Sequence, residues 1–175
     1  ETVMGLGVVY DNYDAYNLLN KVKERPEDKP YSLMIGEVSE ISKYAYVNDK
    51  AQKLINAFLP GPVTFLLPVK DSVPTWVTHN GSTIGIRVPD FKISRDLLLK
   101  VKKPLLVPSA NKSGLKPAMT SEEVKAIFKD EISYVIEGDA LGGVPSTIID
   151  MTSDEIRIVR QGPITMDDIK KVLGE

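Results

Sequence analysis

Segments of helical period alternate with short β-branched runs along the 175 residues, and that alternation constrains the fold more than any other feature. Within residues 12–24, Ala15, Leu18, Leu19 and Val22 recur at i, i+3, i+4 and i+7 behind Asn12 or Asp14 as cap, so an amphipathic helix is expected there, ended by Pro26. Ala51, Leu54, Ile55 and Phe58 repeat the spacing over 48–58 until Pro60-Gly61-Pro62 forces a turn. Further helices are predicted over 93–101, 121–128 and 166–173, the second with Thr120 or Ser121 and Glu123 suited to a capped start. Strand-like runs stand between them at 33–35, 63–69, 83–88, 105–107, 134–136, 147–149 and 156–159, each bounded by Gly, Pro, Ser or Asp. The last two, separated by Met151-Thr152-Ser153-Asp154, read as a hairpin, so the sheet is expected to be mixed. No composition shift or internal repeat divides the chain, and 42% hydrophobic content suffices for one core, which predicts a single α/β domain over 1–175.

Composition then removes several classes of function. There is no cysteine, so disulfide scaffolds, thiolate zinc sites and Cys nucleophiles are out, and a cytoplasmic address is the simplest expectation. The single histidine, His79, lies in the polar stretch Thr78-His79-Asn80-Gly81-Ser82 and reads as an ordinary loop residue, which argues against His triads and multi-histidine metal sites. A net charge of −2 gives no global basic field, so phosphates or nucleic acid must be met by a local group of Lys and Arg. No apolar run approaches the roughly 20 residues of a membrane span. Gly5-Leu6-Gly7 lacks the later glycine of a dinucleotide fingerprint and no Gly-Lys-Ser/Thr closes a P-loop.

Polar loops after predicted strands and helices are the candidate chemistry, because an open α/β sheet builds its ligand crevice there. In residues 21–30, Lys23, Arg25 and Lys29 either form a solvated helix end or converge on a triphosphate. Leu59-Pro60-Gly61-Pro62-Val63-Thr64 reads as a structural turn. In Thr83-Ile84-Gly85-Ile86-Arg87, alternation puts Thr83 and Arg87 on one face with room at Gly85, and Arg87 either faces solvent or pairs with a carboxylate or phosphate. Pro108-Ser109-Ala110-Asn111-Lys112-Ser113-Gly114 follows a strand's carboxyl end and fits a plain turn or a crevice edge. The glycines of 138–147 let backbone approach a ligand or simply turn. None of these loops holds an Asp/Glu pair or a nucleophile–base pair that would define hydrolysis, so together they favour binding and orienting polar substrates.

In this order the loops resemble the YrdC/Sua-type family of threonylcarbamoyl-AMP synthases over nearly the whole chain. The similarity is carried by Glu1-Thr2-Val3-Met4-Gly5-Leu6-Gly7, by Lys23-Glu24-Arg25-Pro26-Glu27-Asp28-Lys29-Pro30, by Leu59-Pro60-Gly61-Pro62-Val63-Thr64, by Thr83-Ile84-Gly85-Ile86-Arg87-Val88-Pro89, by Pro108-Ser109-Ala110-Asn111-Lys112-Ser113-Gly114 and by Ser146-Thr147-Ile148-Ile149-Asp150. The resemblance implies a twisted mixed sheet with helices packed on it and a large, positively lined concave cavity for ATP and L-threonine. It assigns Lys23, Arg25, Lys29, Thr83, Ser109, Asn111 and Arg160 to ATP, with Lys23 and Arg25 catalytic, and Thr2, Arg87 and Ser146 to threonine. It names no metal ligand, and implies Mg²⁺ accompanying ATP.

The implied reaction is a nucleotidyl transfer that joins ATP, L-threonine and bicarbonate into threonylcarbamoyl-AMP and pyrophosphate, for tRNA threonylcarbamoyl-transfer machinery downstream. The chain departs from the family at Met4 for a Tyr, Leu59 for a Trp and Met34 for a His found in some members. It opens without an initiating Met or the strand and Pro-Thr pair that precede Glu1 in the family, and so reads as clipped; its other end matches the short single-domain form. Two alternatives stand beside this reading. One is a double-stranded RNA or tRNA-binding module using Lys21, Lys23, Arg25, Lys29 and Lys112; the other is a carbamoyl-transfer domain of the hydrogenase-maturation type.

Overall fold

The computed structural model describes residues 1–25 and 29–175. Seven strands, β1 (Val8–Val9), β2 (Ser32–Met34), β3 (Val63–Pro68), β4 (Thr83–Arg87), β5 (Leu105–Leu106), β6 (Thr147–Asp150) and β7 (Arg157–Arg160), form one sheet in the order β1-β5-β2-β4-β3-β6-β7. β2 runs parallel to β4 and β3 parallel to β6, while the other neighbours are antiparallel, so the sheet is mixed as expected. Six helices accompany it: α1 (Tyr13–Lys23), α2 (Ile41–Tyr44), α3 (Asp49–Phe58), α4 (Lys92–Val101), α5 (Ser121–Phe128) and α6 (Met166–Leu173).

The caps explain where the helices begin. The Asn12 side chain accepts from the Ala15 N–H at 3.0 Å, Asn48 from Ala51 at 2.8 Å and Thr120 from Glu123 at 3.1 Å, each supplying an acceptor to a first-turn donor that has no helical partner. Thr165 and Asp168 form a reciprocal capping box at α6.

Strand register separates core from site. Leu106, Leu33, Ile86, Phe65 and Ile149 pair successively across five strands, and all are fully buried. One residue along, the pleat turns Met34, Arg87, Thr64 and Ile148 to the opposite face, and Ile148 is paired in turn with Arg160 on β7. The hydrophobic row anchors the sheet, and the neighbouring row carries the polar candidates.

Two expectations are corrected here. Residues 134–136 are not a strand: the backbone on either side bonds to the start of α5, through Ser121 N–H to Gly138 O and Ala140 N–H to Met119 O, and Tyr134 is 81% exposed. β1 and α2 were not expected, since two or four residues are too short for either periodicity to register.

Candidate functional site

Three polar groupings gather around the N-terminal segment. The first is built on Lys23, the last residue of α1, which is only 2% exposed. Its ammonium donates to Ser109 O at 2.6 Å, Asn111 O at 2.8 Å and Asn111 Oδ1 at 3.1 Å, so all three donors end on the loop after β5. That loop is closed further by Ser109 Oγ donating to Asn111 Oδ1 at 2.7 Å and Asn111 Nδ2 to Leu115 O at 2.7 Å. Burial first, and the Arg25 charge second, lower the Lys23 pKa to about 8. The cause is physical: the three acceptors replace lost hydration, but none is a carboxylate. Lys112, from the same loop, donates to Val22 O at 2.8 Å and pairs with Glu131 at 2.8 Å, tying the loop to the carbonyl end of α1.

The second grouping surrounds Arg87 at the end of β4. Its NH1 donates to Thr2 Oγ1 at 3.1 Å and its NH2 to Glu1 Oε2 at 2.6 Å, while Nε is buried and donates to nothing. The third joins Ser146, just before β6, to Arg160 at the end of β7. Arg160 donates through Nε and NH2 to Ser146 O at 3.0 and 2.8 Å and through NH2 to Ser146 Oγ at 3.0 Å, and the Thr64 hydroxyl lies 3.0 Å from the same Oγ. Partial burial and then the Arg87 charge hold the Arg160 pKa below the ordinary arginine value, so the second and third groupings share one electrostatic field.

The segment Glu1–Gly7 links the first two groupings. Thr2 lies on Arg87, and further along Leu6 N–H donates to Pro108 O, Met4 N–H to Ala118 O and Ala110 N–H to Met4 O. Gly5 is required by close approach, since a Cβ there would lie 2.7 Å from Val107 Cγ1.

Not every expected residue joins in. Arg25 donates to the carbonyls of Lys29 and Pro30, both at 2.9 Å, and lies 4.3 Å above the Tyr31 ring, while Pro26, Glu27 and Asp28 of that motif fall outside the described residues. Lys29 is exposed, and Thr83 opens β4 four residues from Arg87. Alternation does set Thr83, Gly85 and Arg87 on one face, but the room at Gly85 is filled by the Ser32 and Thr64 side chains. Two contributors were missed. Thr64 belongs to a motif read as a structural turn, and its partner Ser146 is 82 positions away; Glu1 pairs with Arg87 across 86 positions, and no local spacing carries either signal.

A cavity of about 490 Å³ lies between this N-terminal segment, α1, α4 and residues 131–140. A large positively lined cavity was expected. This one is walled chiefly by side chains such as Leu18, Leu97, Leu98, Leu105, Val107 and Val135, with Arg87 its one cation among the described residues. Lys23, Ser109, Asn111, Ser146 and Arg160 are not on its wall. The described residues include no group of three His, Cys, Asp or Glu suited to a metal, so the donor set does not fit a protein-held Mg²⁺, and no residue is assigned to one.

A mixed α/β sheet whose strand ends and flanking loops present arginines, hydroxyls and an amide defines a polar-ligand-binding α/β protein. The chain belongs to the Sua5/YciO/YrdC family, whose model, described as telomere recombination, matches residues 1–162. It is 37% identical over 172 residues to a putative threonylcarbamoyl-AMP synthase of Methanocaldococcus jannaschii, covering 98% of this chain and 81% of that relative. The crystal structure of Pyrococcus abyssi Sua5 complexed with L-threonine superposes with a TM-score of 0.95 at 32% identity, covering all of this chain and 52% of that one. Escherichia coli YciO superposes with a TM-score of 0.88 at 29% identity, covering 97% of this chain and 84% of YciO. The chain thus spans about half the length of the Pyrococcus protein.

Proposed function

We propose that this chain is an enzyme that forms threonylcarbamoyl-AMP from ATP, L-threonine and bicarbonate, supplying the threonylcarbamoyl group for N6-threonylcarbamoyladenosine in tRNA. The observation that carries the reading is the juxtaposition of Thr2, Arg87, Ser146 and Arg160 on a fold matching, at a TM-score of 0.95, a relative complexed with L-threonine. The threonine amine attacks bicarbonate and water leaves, giving a carbamate. A carbamate oxygen then attacks the α-phosphorus of ATP, and pyrophosphate departs with the electron pair of the broken P–O bond. Neither step needs a protein nucleophile, which agrees with a site made of donors and cations.

Arg87, Thr2 and Ser146 hold threonine in this scheme. Arg25, Lys29 and Arg160 meet phosphate charge, and Thr83, Ser109 and Asn111 contact the nucleotide. Lys23 acts as a positioning residue, because its donors are all spent on the loop that presents Ser109 and Asn111. The test is incubation of the protein with ATP, Mg²⁺, bicarbonate and L-threonine, followed by mass spectrometry. Threonylcarbamoyl-adenylate and pyrophosphate are expected in equal amounts. RNA binding with steep salt dependence, and no adenylate from any amino acid, would instead leave the RNA-binding alternative standing.

A further inference from the structure

Glu1 and Arg87 form a buried ion pair on the wall of the cavity, with side-chain exposures of 15% and 10%. Both described bonds to the Glu1 carboxylate fall on one oxygen: Oε2 accepts from Arg87 NH2 at 2.6 Å and from the Asp90 N–H at 3.1 Å. Oε1 takes part in none of the described hydrogen bonds, and on the arginine side NH1 and NH2 each keep one N–H beyond the described bonds, while Nε is buried without a partner among the described residues. Of the three other carboxylates on the wall, Glu131 is engaged by Lys112 and Glu137 by Lys125, and Asp139, in the 131–140 segment, takes part in none of the described ion pairs. The Arg87 end of the cavity therefore offers unspent donors beside an unspent carboxylate oxygen.

That pairing is complementary to one kind of ligand. An α-amino acid carries a carboxylate and an ammonium on the same carbon, so its carboxylate can take the remaining Arg87 donors while its ammonium meets Glu1 Oε1. An acid of the same shape without the amine meets an arginine whose charge is already balanced, with a second carboxylate facing it. Specificity built this way has an attractive and a repulsive part, both supplied by one side chain. Resting on the reading that the Arg87 site takes an amino acid, we infer that Glu1 is a specificity-determining residue that selects a zwitterionic α-amino acid over a plain carboxylic acid.

Titration calorimetry on the whole chain, with L-threonine and its deaminated analogue 3-hydroxybutanoate and no ATP, tests this. The wild-type protein is expected to bind threonine at least tenfold more tightly than the acid. Glu1→Gln is nearly isosteric and keeps an oxygen for the Asp90 N–H, and should shrink that preference at least tenfold, weakening threonine while strengthening the acid. If Glu1→Gln weakens both ligands by the same factor, Glu1 only orients Arg87 and the inference is overturned, although the amino-acid site stands. If the wild-type protein binds the acid as well as threonine, the inference falls by itself. If it binds neither, the assignment of Arg87 to an amino acid falls with it.

Discussion

At the scale of single residues, Lys23 shows that a charged motif does not by itself say where its side chains point. Its spacing to Arg25 and Lys29 leaves a solvated helix end and a triphosphate cradle both open, whereas the folded chain turns its ammonium inward onto Ser109 and Asn111. The sequence shows charge but not direction, and direction here is set by a loop 86 positions away. Replacing Lys23 with Met would strand Asn111 O and take one of two donors from Ser109 O and Asn111 Oδ1, and should cost about 2–4 kcal/mol, read from the urea midpoint. The pH dependence has a definite sign. The folded pKa, about 8, lies below the ordinary 10.5, so between those values the unfolded chain binds more protons at this group. Stability should therefore rise with pH across that window for the wild-type protein relative to Lys23→Met. The comparison cancels the other lysines and tyrosines titrating nearby, and a flat difference would refute the assignment.

At the scale of elements, the helices were the more legible part, and in α1 and α5 stripe and cap agree: Asn12 and Thr120 cap where the sequence placed them. Strand pairing was less legible, since period-two runs reveal a face but not a neighbour. Asn48→Ala, which removes only the α3 cap, should lower stability by about 1 kcal/mol, with threonine affinity unchanged by calorimetry. Gly162→Ala should behave differently. A Cβ there would overlap Thr147 N, Pro145 O and the Ser146 carbonyl carbon, all backbone atoms that cannot rotate away. Those atoms carry Ser146 into contact with Arg160 and Thr64, so the strain lands on the site. A stability loss of about 2 kcal/mol or more, seen as a lowered thermal midpoint, is expected together with weaker threonine binding, because overpacking against backbone has no cheap relaxation. Undiminished threonine affinity in a folded Gly162→Ala protein would detach the β6–β7 corner from the site.

At the scale of the whole molecule, the segment Glu1–Gly7 joins what the sheet keeps apart. One end is bonded to Arg87 on β4 and the rest is laced to the loop after β5, which Lys23 fixes to α1. A ligand that orders either end reduces the conformational freedom still to be lost when a second ligand binds at the other, which makes binding at the two ends cooperative without any large rearrangement. A non-hydrolysable ATP analogue should thus tighten L-threonine binding at least fivefold, about 1 kcal/mol, and threonine should tighten the analogue by the same factor, as linkage requires. Gly5→Ala examines the route. Its Cβ would press on Val107 Cγ1 and lift the segment from β5 at a position distant from Arg87 in the chain. Calorimetry of each ligand alone and in the presence of the other should then find threonine affinity by itself little changed and the coupling factor reduced toward one. A coupling that survives Gly5→Ala intact would mean that the two ligands communicate by direct contact, with the N-terminal segment serving only as a wall.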